Sequence, residues 1–227
     1  HNLRMEERRK KAAAAAEKRV QLTMDVGALD NRIRLLTDME KDYEGFNKAV
    51  KAVMQAAEKN VLRGIHAPVA QLMSVDKKHA VALEIALGAG MQNIVVDREE
   101  DGKAAINYLK QRDSGRATFL PLTAIRGEEL KENGVFGEYG FVGIASELIR
   151  FDKKYTEIFR NLLGRTVIVE DMDCGIAMAR KYKNAFRIVT LDGQVINRGG
   201  SMTGGSTSRS AGVLSRAAEL EKLSGRA

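Results

Sequence analysis

The stretch Val189–Ser206, VTLDGQVINRGGSMTGGS, decides how this chain is read. It starts as a strand, with Ile188, Val189 and Leu191 leading into the turn pair Asp192-Gly193. Gly193, Gly200, Gly204 and Gly205 then follow at a G-x6-G-x3-GG spacing. Val195, Ile196 and Met202 persist between these glycines, so the segment is not a solvated linker. Glycine inside a strand pattern marks a bulge or the close approach of another backbone. The glycines therefore describe a surface that something presses against, either a phosphate or a protein strand.

Size and composition narrow the setting. The 227 residues are 44% apolar, enough to bury a core of one or two domains. Charged residues make up 30%, in keeping with long solvated helices. The net charge of +7, from 37 basic and 30 acidic residues, permits binding to nucleic acid or an acidic surface without demonstrating it. Cys174 is the only cysteine, which excludes an intrachain disulfide and a thiolate metal cluster and agrees with a reducing compartment. His1, His66 and His79 are scattered, without metal-ligand spacing. Apolar runs fall short of the roughly 20 residues a membrane helix needs. The N-terminal segment is charged and helical and does not read as a secretory leader. Both ends lie inside helical patterns, so the chain reads as part of something longer.

The expected organisation is an arm, a two-part domain and a returning arm. Residues 1–60 read as a coiled-coil helix. RMEERRKKAAAAAEKR (4–19) is a strong helix former, and Leu22, Val26, Leu29, Ile33 and Leu36 recur at 4-3-4-3 spacing. After Leu36 the apolar set changes phase to Met39, Tyr43, Phe46, Val50, Val53 and Ala57, a step that reads as a stammer in the coil. Residues 207–227 carry Val213, Ala217 and Leu220 at 4-3 spacing and read as a helix returning antiparallel to the first. Between the arms, 61–125 and 141–206 form two subdomains, joined by a glycine-rich, polar linker over 126–140.

The subdomains repeat one another. Asp76-Lys77-Lys78-His79 opens a helical pattern ending at Leu87-Gly88, and Asp152-Lys153-Lys154-Tyr155 opens another ending at Leu163-Gly164. Each continues into an apolar strand (Asn93–Asp97, Val167–Asp171), a second helix (around Tyr108-Leu109-Lys110, Tyr182-Lys183) and a closing strand (Arg116–Leu122, Arg187–Leu191). Tyr155, Ile158, Phe159 and Leu162 mark one buried helical face. Gly88 and Gly164 read as C-terminal helix stops, and Asp76, Asp97 and Asp152 as N-caps, with Glu100 completing a capping box behind Asp97. The fold class is α/β: two related helix–strand subdomains flanked by an antiparallel coiled coil.

Several chemistries compete for these residues. A phosphate cradle in the Gly199–Ser206 loop would make the chain a nucleotide-binding enzyme, but G-x-x-x-x-G-K-[ST] is absent and Gly102-Lys103 is followed by Ala104. Gly88-Ala89-Gly90 precedes a strand instead of following one, the wrong order for a dinucleotide fingerprint. Glu99-Glu100-Asp101 and Glu170-Asp171-Asp173 sit at strand-to-helix turns, where capping explains them better than acid–base work. Ser201, Ser206, His66 and His79 form no nucleophile elbow. Cys174 opens a helix, which can lower a thiol's pKa, yet it reads as a small buried hydrophobe. Basic clusters are more telling: Arg8–Lys11, Lys77-Lys78, Lys153-Lys154, Arg180-Lys181-Lys183, and Arg209 with Arg216. Lysines in a first helical turn oppose the macrodipole, and both repeats accept that cost at matching places. Solvation accounts for any one pair, and a row of phosphate contacts accounts for all of them. The glycine stretch, finally, suits an edge strand that pairs with an edge of a twin chain, the twin returning the same contact, a reading that needs no pocket, metal or nucleophile.

The residues then match a known pattern. GIHAPVAQL (64–72), AVALEIALGAGMQNIVVD (80–97), GRATFLPL (115–122), GFVGIASELI (140–149), NLLGRTVIVED (161–171) and RIVTLDGQVINRGGSMTGGS (187–206) resemble, in family order, the hinge domain of structural-maintenance-of-chromosomes proteins, most of all the bacterial type. YEGFNKAVKAVM (43–54) is similar to the family's approach to the hinge. The resemblance implies a doughnut-shaped homodimer with the arms leaving on one side, and Gly193, Gly200, Gly204 and Gly205 at the dimer contacts. It implies DNA binding near the hinge, for which Lys77, Lys78, Lys153, Lys154, Arg180, Lys181, Lys183 and Arg209 are the candidates by charge. Relatives often carry a lysine run after the last glycine pair, whereas this chain has Ser206-Thr207-Ser208-Arg209-Ser210. The family's ATPase lies in distant heads whose Walker motifs this chain lacks. The expectations that follow are a role in chromosome condensation and segregation, a cytoplasmic, nucleoid-associated location, and no catalysis, cofactor, metal, membrane or small-molecule substrate.

Overall fold

The computed structural model describes residues 2–207 and 212–225. Contacts divide the chain into two units, one made of residues up to Asp42 with those from Leu220 on, the other of Tyr43–Glu219. In the first unit α1 (Asn2–Lys41) is a single helix of 40 residues, on the order of 60 Å long at 1.5 Å per residue. Leu22, Val26 and Leu29 of the expected seam are exposed, Ile33 is half-buried and Leu36 is buried. The grouping of the C-terminal residues with α1 agrees with a helix that returns along the arm.

The helix does not run on to residue 60. The phase change after Leu36 is not a stammer but the approach to a break, since α1 stops at Lys41 and the chain turns through Tyr43 (φ 54°) and Gly45 (φ 91°). A new helix, α2 (Lys48–Glu58), starts at Asn47, whose side chain accepts the Val50 N–H at 3.0 Å. Its Ala49, Val50, Val53, Met54 and Ala56 are buried in the second unit's core. Those apolar residues hold helical spacing because α2 packs on the sheet domain, not because it extends the coil.

The repeat is realised in full. The first half runs β1 (Ile65–Pro68), β2 (Met73–Val75), α3 (Lys77–Leu87), β3 (Ile94–Val96), α4 (Glu99–Gln111) and β4 (Phe119–Pro121). The second runs β5 (Phe141–Ile144), β6 (Ile149–Phe151), α5 (Thr156–Leu163), β7 (Thr166–Val169), α6 (Met172–Lys181) and β8 (Arg187–Thr190), then adds β9 (Val195–Ile196) and β10 (Met202–Thr203). The closing helix is α7 (Val213–Leu223). Sheet order is β1-β3-β4 in the first half and β10-β9-β8-β7-β5 in the second, with the β3–β4 and β7–β8 pairs parallel and the others antiparallel. The parallel strands are fully buried runs, Ile94-Val95-Val96 and Val167-Ile168-Val169, as strands covered on both faces must be.

A third sheet joins the halves. β2 and β6 pair antiparallel, with Ser74 opposite Arg150 at the centre. Ser74 and Arg150 hold the same place in their repeats, two residues before Asp76 and Asp152. An antiparallel pair centred on equivalent residues relates the halves by an approximate two-fold axis. The axis is not exact in chemistry: the Asp76 carboxylate pairs with Arg150 at 2.9 Å, while its counterpart Asp152 accepts the Lys154 N–H at 3.1 Å as a cap.

Local details depart from expectation by single residues. Asp76 caps nothing with its side chain. The N-cap of α4 is Arg98, not Asp97, and Asp101, not Glu100, reaches back to the Arg98 N–H at 3.1 Å. The segment 126–140 connects the halves but is strapped to the second. Glu157 accepts the Gly127 N–H at 2.5 Å, Arg160 pairs with Glu129 at 3.2 Å, and Val135 is buried among Val169, Cys174 and Met178.

Candidate self-association edge and basic surface

Each of the expected interface glycines has a distinct local setting. Gly193 closes the turn between β8 and β9, donating to the Thr190 carbonyl at 2.9 Å with φ at +88°. It is buried, and a Cβ there would lie 3.0 Å from Ile85 and 3.3 Å from Val81, both on α3 of the same chain. Gly193 is therefore demanded by packing between the two halves, and it does not lie on an open edge. Gly200 closes the β9–β10 turn, donating to the Asn197 carbonyl at 2.9 Å, and faces Asn184. Gly204 lies beside the Gln194 side chain, where any Cβ would overlap Gln194 Oε1. Gly205 has open space around it.

The edge itself is β10. Asn197 donates its N–H to the Ser201 carbonyl at 2.7 Å, and the register continues through Met202 opposite Ile196 and Thr203 opposite Val195. Alternation in an antiparallel ladder then turns the backbone groups of Ser201 and Thr203 inward and those of Met202 outward. Ser201 through Thr207 are exposed, with Met202 at 57%. One position past the ladder, Gln194 takes over: its Nε2 donates to the Gly205 carbonyl at 3.0 Å and its Oε1 accepts the Gly205 N–H at 2.8 Å. Gln194 is itself fixed by Thr190, which is buried, through a 2.9 Å bond from the Gln194 N–H to Thr190 Oγ1. A second edge lies in the first half. β4 ends its sheet, whereas its repeat counterpart β8 is covered by β9.

This geometry argues against a phosphate cradle at Gly199–Ser206. The Gly199, Gly200 and Gly205 amides are already bonded, to Asn184, Asn197 and Gln194. The segment is a hairpin, not a strand-to-helix turn.

The other candidates separate in the same way. Ser201 Oγ accepts from Asn197 Nδ2 at 3.2 Å, and among the described residues neither His66 nor His79 is bonded to a serine. His66 lies between Tyr155 (2.7 Å from Nδ1) and Asp97 (2.5 Å from Nε2), a bridge between the halves. All three groups are satisfied when Nε2–H donates to Asp97 and the Tyr155 hydroxyl donates to Nδ1. His79 is buried with Nδ1 unpartnered, and burial, with Lys78 adding to it, holds its pKa below the ordinary value. Cys174 is buried, and its bond to Asp171 followed by burial pushes the thiol up, the reverse of a reactive cysteine. Asp171 caps α6 through the Cys174 N–H at 2.9 Å, and Glu99 accepts from the Thr123 hydroxyl at 2.7 Å.

Of the basic candidates, Lys77, Lys78, Lys153, Lys154, Arg180 and Lys183 are exposed. The two lysine pairs follow β2 and β6, one at each end of the ribbon through which the approximate axis passes. Lys181 is engaged: its ammonium pairs with Glu138, which raises the lysine's pKa and, together with the Tyr182 hydroxyl, lowers that of the carboxyl. Arg209 lies outside the described residues. Sequence reading missed Gln194, and the only trace it left was its place beside the turn glycine. No helix among the described residues is long and apolar enough to cross a membrane.

Comparison with known proteins bears on this site. The family model described as "SMC proteins Flexible Hinge Domain" matches residues 62–179. The chain is 42% identical over 196 residues to the chromosome partition protein Smc of Bacillus subtilis, covering 85% of this chain and 16% of that one. It is 38% identical over 219 residues to the protein of that name from Desulfitobacterium hafniense, covering 95% of this chain and 18% of that one. It thus spans less than a fifth of the curated relatives it matches. Among solved structures, an asymmetric dimer of the Geobacillus stearothermophilus SMC hinge domain superposes with a TM-score of 0.81 at 40% identity, over 88% of this chain and 81% of that one.

Proposed function

Since this chain belongs to the family of SMC hinge domains, we propose that it is a homodimerisation module that joins two long arms of a chromosome-organising ATPase and adds sequence-independent affinity for DNA. The observation that carries the reading is the exposed β10 edge, whose amide and carbonyl at Met202 face away from β9 by ladder alternation. Exposed edges invite a strand from another molecule. The approximate two-fold axis supplies the acceptor, because the first half stops at β4 where the second half goes on to β9 and β10. β10 of one copy against β4 of its twin, returned by the twin, closes a ring of two copies in which both of these edges are paired. The similar Geobacillus stearothermophilus SMC hinge domain forms an asymmetric dimer in its crystal structure, which supports self-association of the hinge. For DNA, the support is the net charge of +7 and the exposed lysine pairs placed alike in both repeats. Binding led by phosphate contacts follows salt, not sequence. The chain acts by assembly, at the nucleoid in the cytoplasm, in condensation and segregation.

Sedimentation equilibrium tests the first part. The parent chain should weigh twice 25.0 kDa at micromolar concentration. Met202→Pro should yield a folded monomer, because proline is tolerated on an edge strand whose N–H faces solvent but blocks a new ladder. A parent chain that stays monomeric at tens of micromolar overturns the proposal.

A further inference from the structure

We infer that Gln194 is the positioning residue for self-association, its carboxamide acting as a substitute ladder residue that holds Gly204–Gly205 in line with β10 for a second copy of this chain. The inference rests on the dimerisation reading above. β9 begins just after the Asp192-Gly193 turn, so the backbone ladder runs out at Thr203 opposite Val195. The next inward-facing residue of the edge, by alternation, is Gly205. Its two backbone groups meet the two ends of one carboxamide, at 2.8 and 3.0 Å, the same donor–acceptor exchange that a ladder neighbour would provide. With Gly205 turned inward, the Gly204 backbone groups point outward beside those of Met202, lengthening the free edge by one bonding position.

The same side chain accounts for the Gly204 requirement. Gly204 is not among the residues of positive φ, so its backbone would accept alanine. What forbids a Cβ is the Gln194 carboxamide, which occupies that space, and with Gln194 shortened to alanine the nearest remaining atom of residue 194 is its Cβ at 3.8 Å, ordinary contact. The glycine and the glutamine are thus one device: Gly204 makes room for the clamp, and the clamp orders the edge before the second copy arrives. Ordering a strand in advance lowers the entropic cost of pairing it.

The experiment is a double-mutant cycle on the dimer dissociation constant, measured by sedimentation on the full chain. Gln194→Ala should raise Kd about tenfold or more, as the loss of two hydrogen bonds implies, and Gln194→Met, which keeps length without the bonds, should match it. Gly204→Ala should weaken the parent dimer yet be neutral in the Gln194→Ala background. In the monomeric Met202→Pro chain, Gln194→Ala should speed hydrogen exchange of the Gly205 amide while leaving the urea midpoint unchanged, which a general structural role would shift. An unaltered Kd in Gln194→Ala, or equal harm from Gly204→Ala in both backgrounds, overturns the inference while leaving dimerisation standing. A parent chain that never dimerises defeats the dimerisation reading instead.

Discussion

Gly193→Ala separates packing from pairing at the glycine segment. The residue sits at φ +88°, where an L side chain costs about 1–2 kcal/mol. The added methyl would also stand 3.0 Å from Ile85, 3.2 Å from Thr207 and 3.3 Å from Val81, and relieving such close approaches in a packed core costs about 1–3 kcal/mol. A total of about 2–5 kcal/mol is expected. With a urea slope of about 2 kcal/mol/M, the midpoint should fall by about 1–2.5 M. The assay is urea unfolding followed by circular dichroism at several protein concentrations, paired with sedimentation at zero denaturant. The packing account requires a large loss of stability with the dimer dissociation constant little changed. An unmoved urea midpoint together with a dissociated dimer would place Gly193 at the contact between copies and refute the account.

Three further tests address other parts of the molecule. Because burial depresses the His79 pKa, the unfolded chain takes up a proton near pH 6.5 that the folded chain resists, so stability falls as pH drops below that value. In His79→Leu this contribution should vanish, visible as a smaller loss of urea stability between pH 7.5 and 5.5 than in the parent, and an equal loss would discount His79. His66→Phe leaves the buried Tyr155 hydroxyl without its partner and should cost about 1–3 kcal/mol, part of it regained in the His66→Phe/Tyr155→Phe pair, where simple additivity would contradict the bridge. Replacing Lys77, Lys78, Lys153 and Lys154 by alanine should flatten the salt dependence of duplex DNA binding, by up to about 0.9 in log–log slope for each phosphate no longer neutralised, measured by fluorescence anisotropy, and an unaltered slope removes these lysines from the interface.

Local signals served well wherever one element's own pattern suffices. The buried face Tyr155, Ile158, Phe159 and Leu162 is a property of 3.6-residue periodicity, and the apolar strand runs are a property of burial on both faces. Errors arose where two local readings share a signature. The phase shift after Leu36 looks the same whether a coil overwinds or a helix ends and another starts, and the deciding residue, Tyr43 at positive φ, has no special composition. The cap of α4 lies one residue beyond Asp97, whose carboxylate instead meets His66, a partner far away in sequence.

From the sequence alone came the repeat, the element order, the family likeness and the value of the glycine segment, since spacing and residue type carry those. Only the folded chain decided what each glycine is for. Gly193 answers to Ile85 and Val81, which approach from the other half, and Gly204 answers to a side chain across a hairpin. The axis through Ser74 and Arg150 is likewise a matter of register between distant strands. Relations of that kind depend on how the backbone closes in space, and no local pattern encodes the distance of an approach.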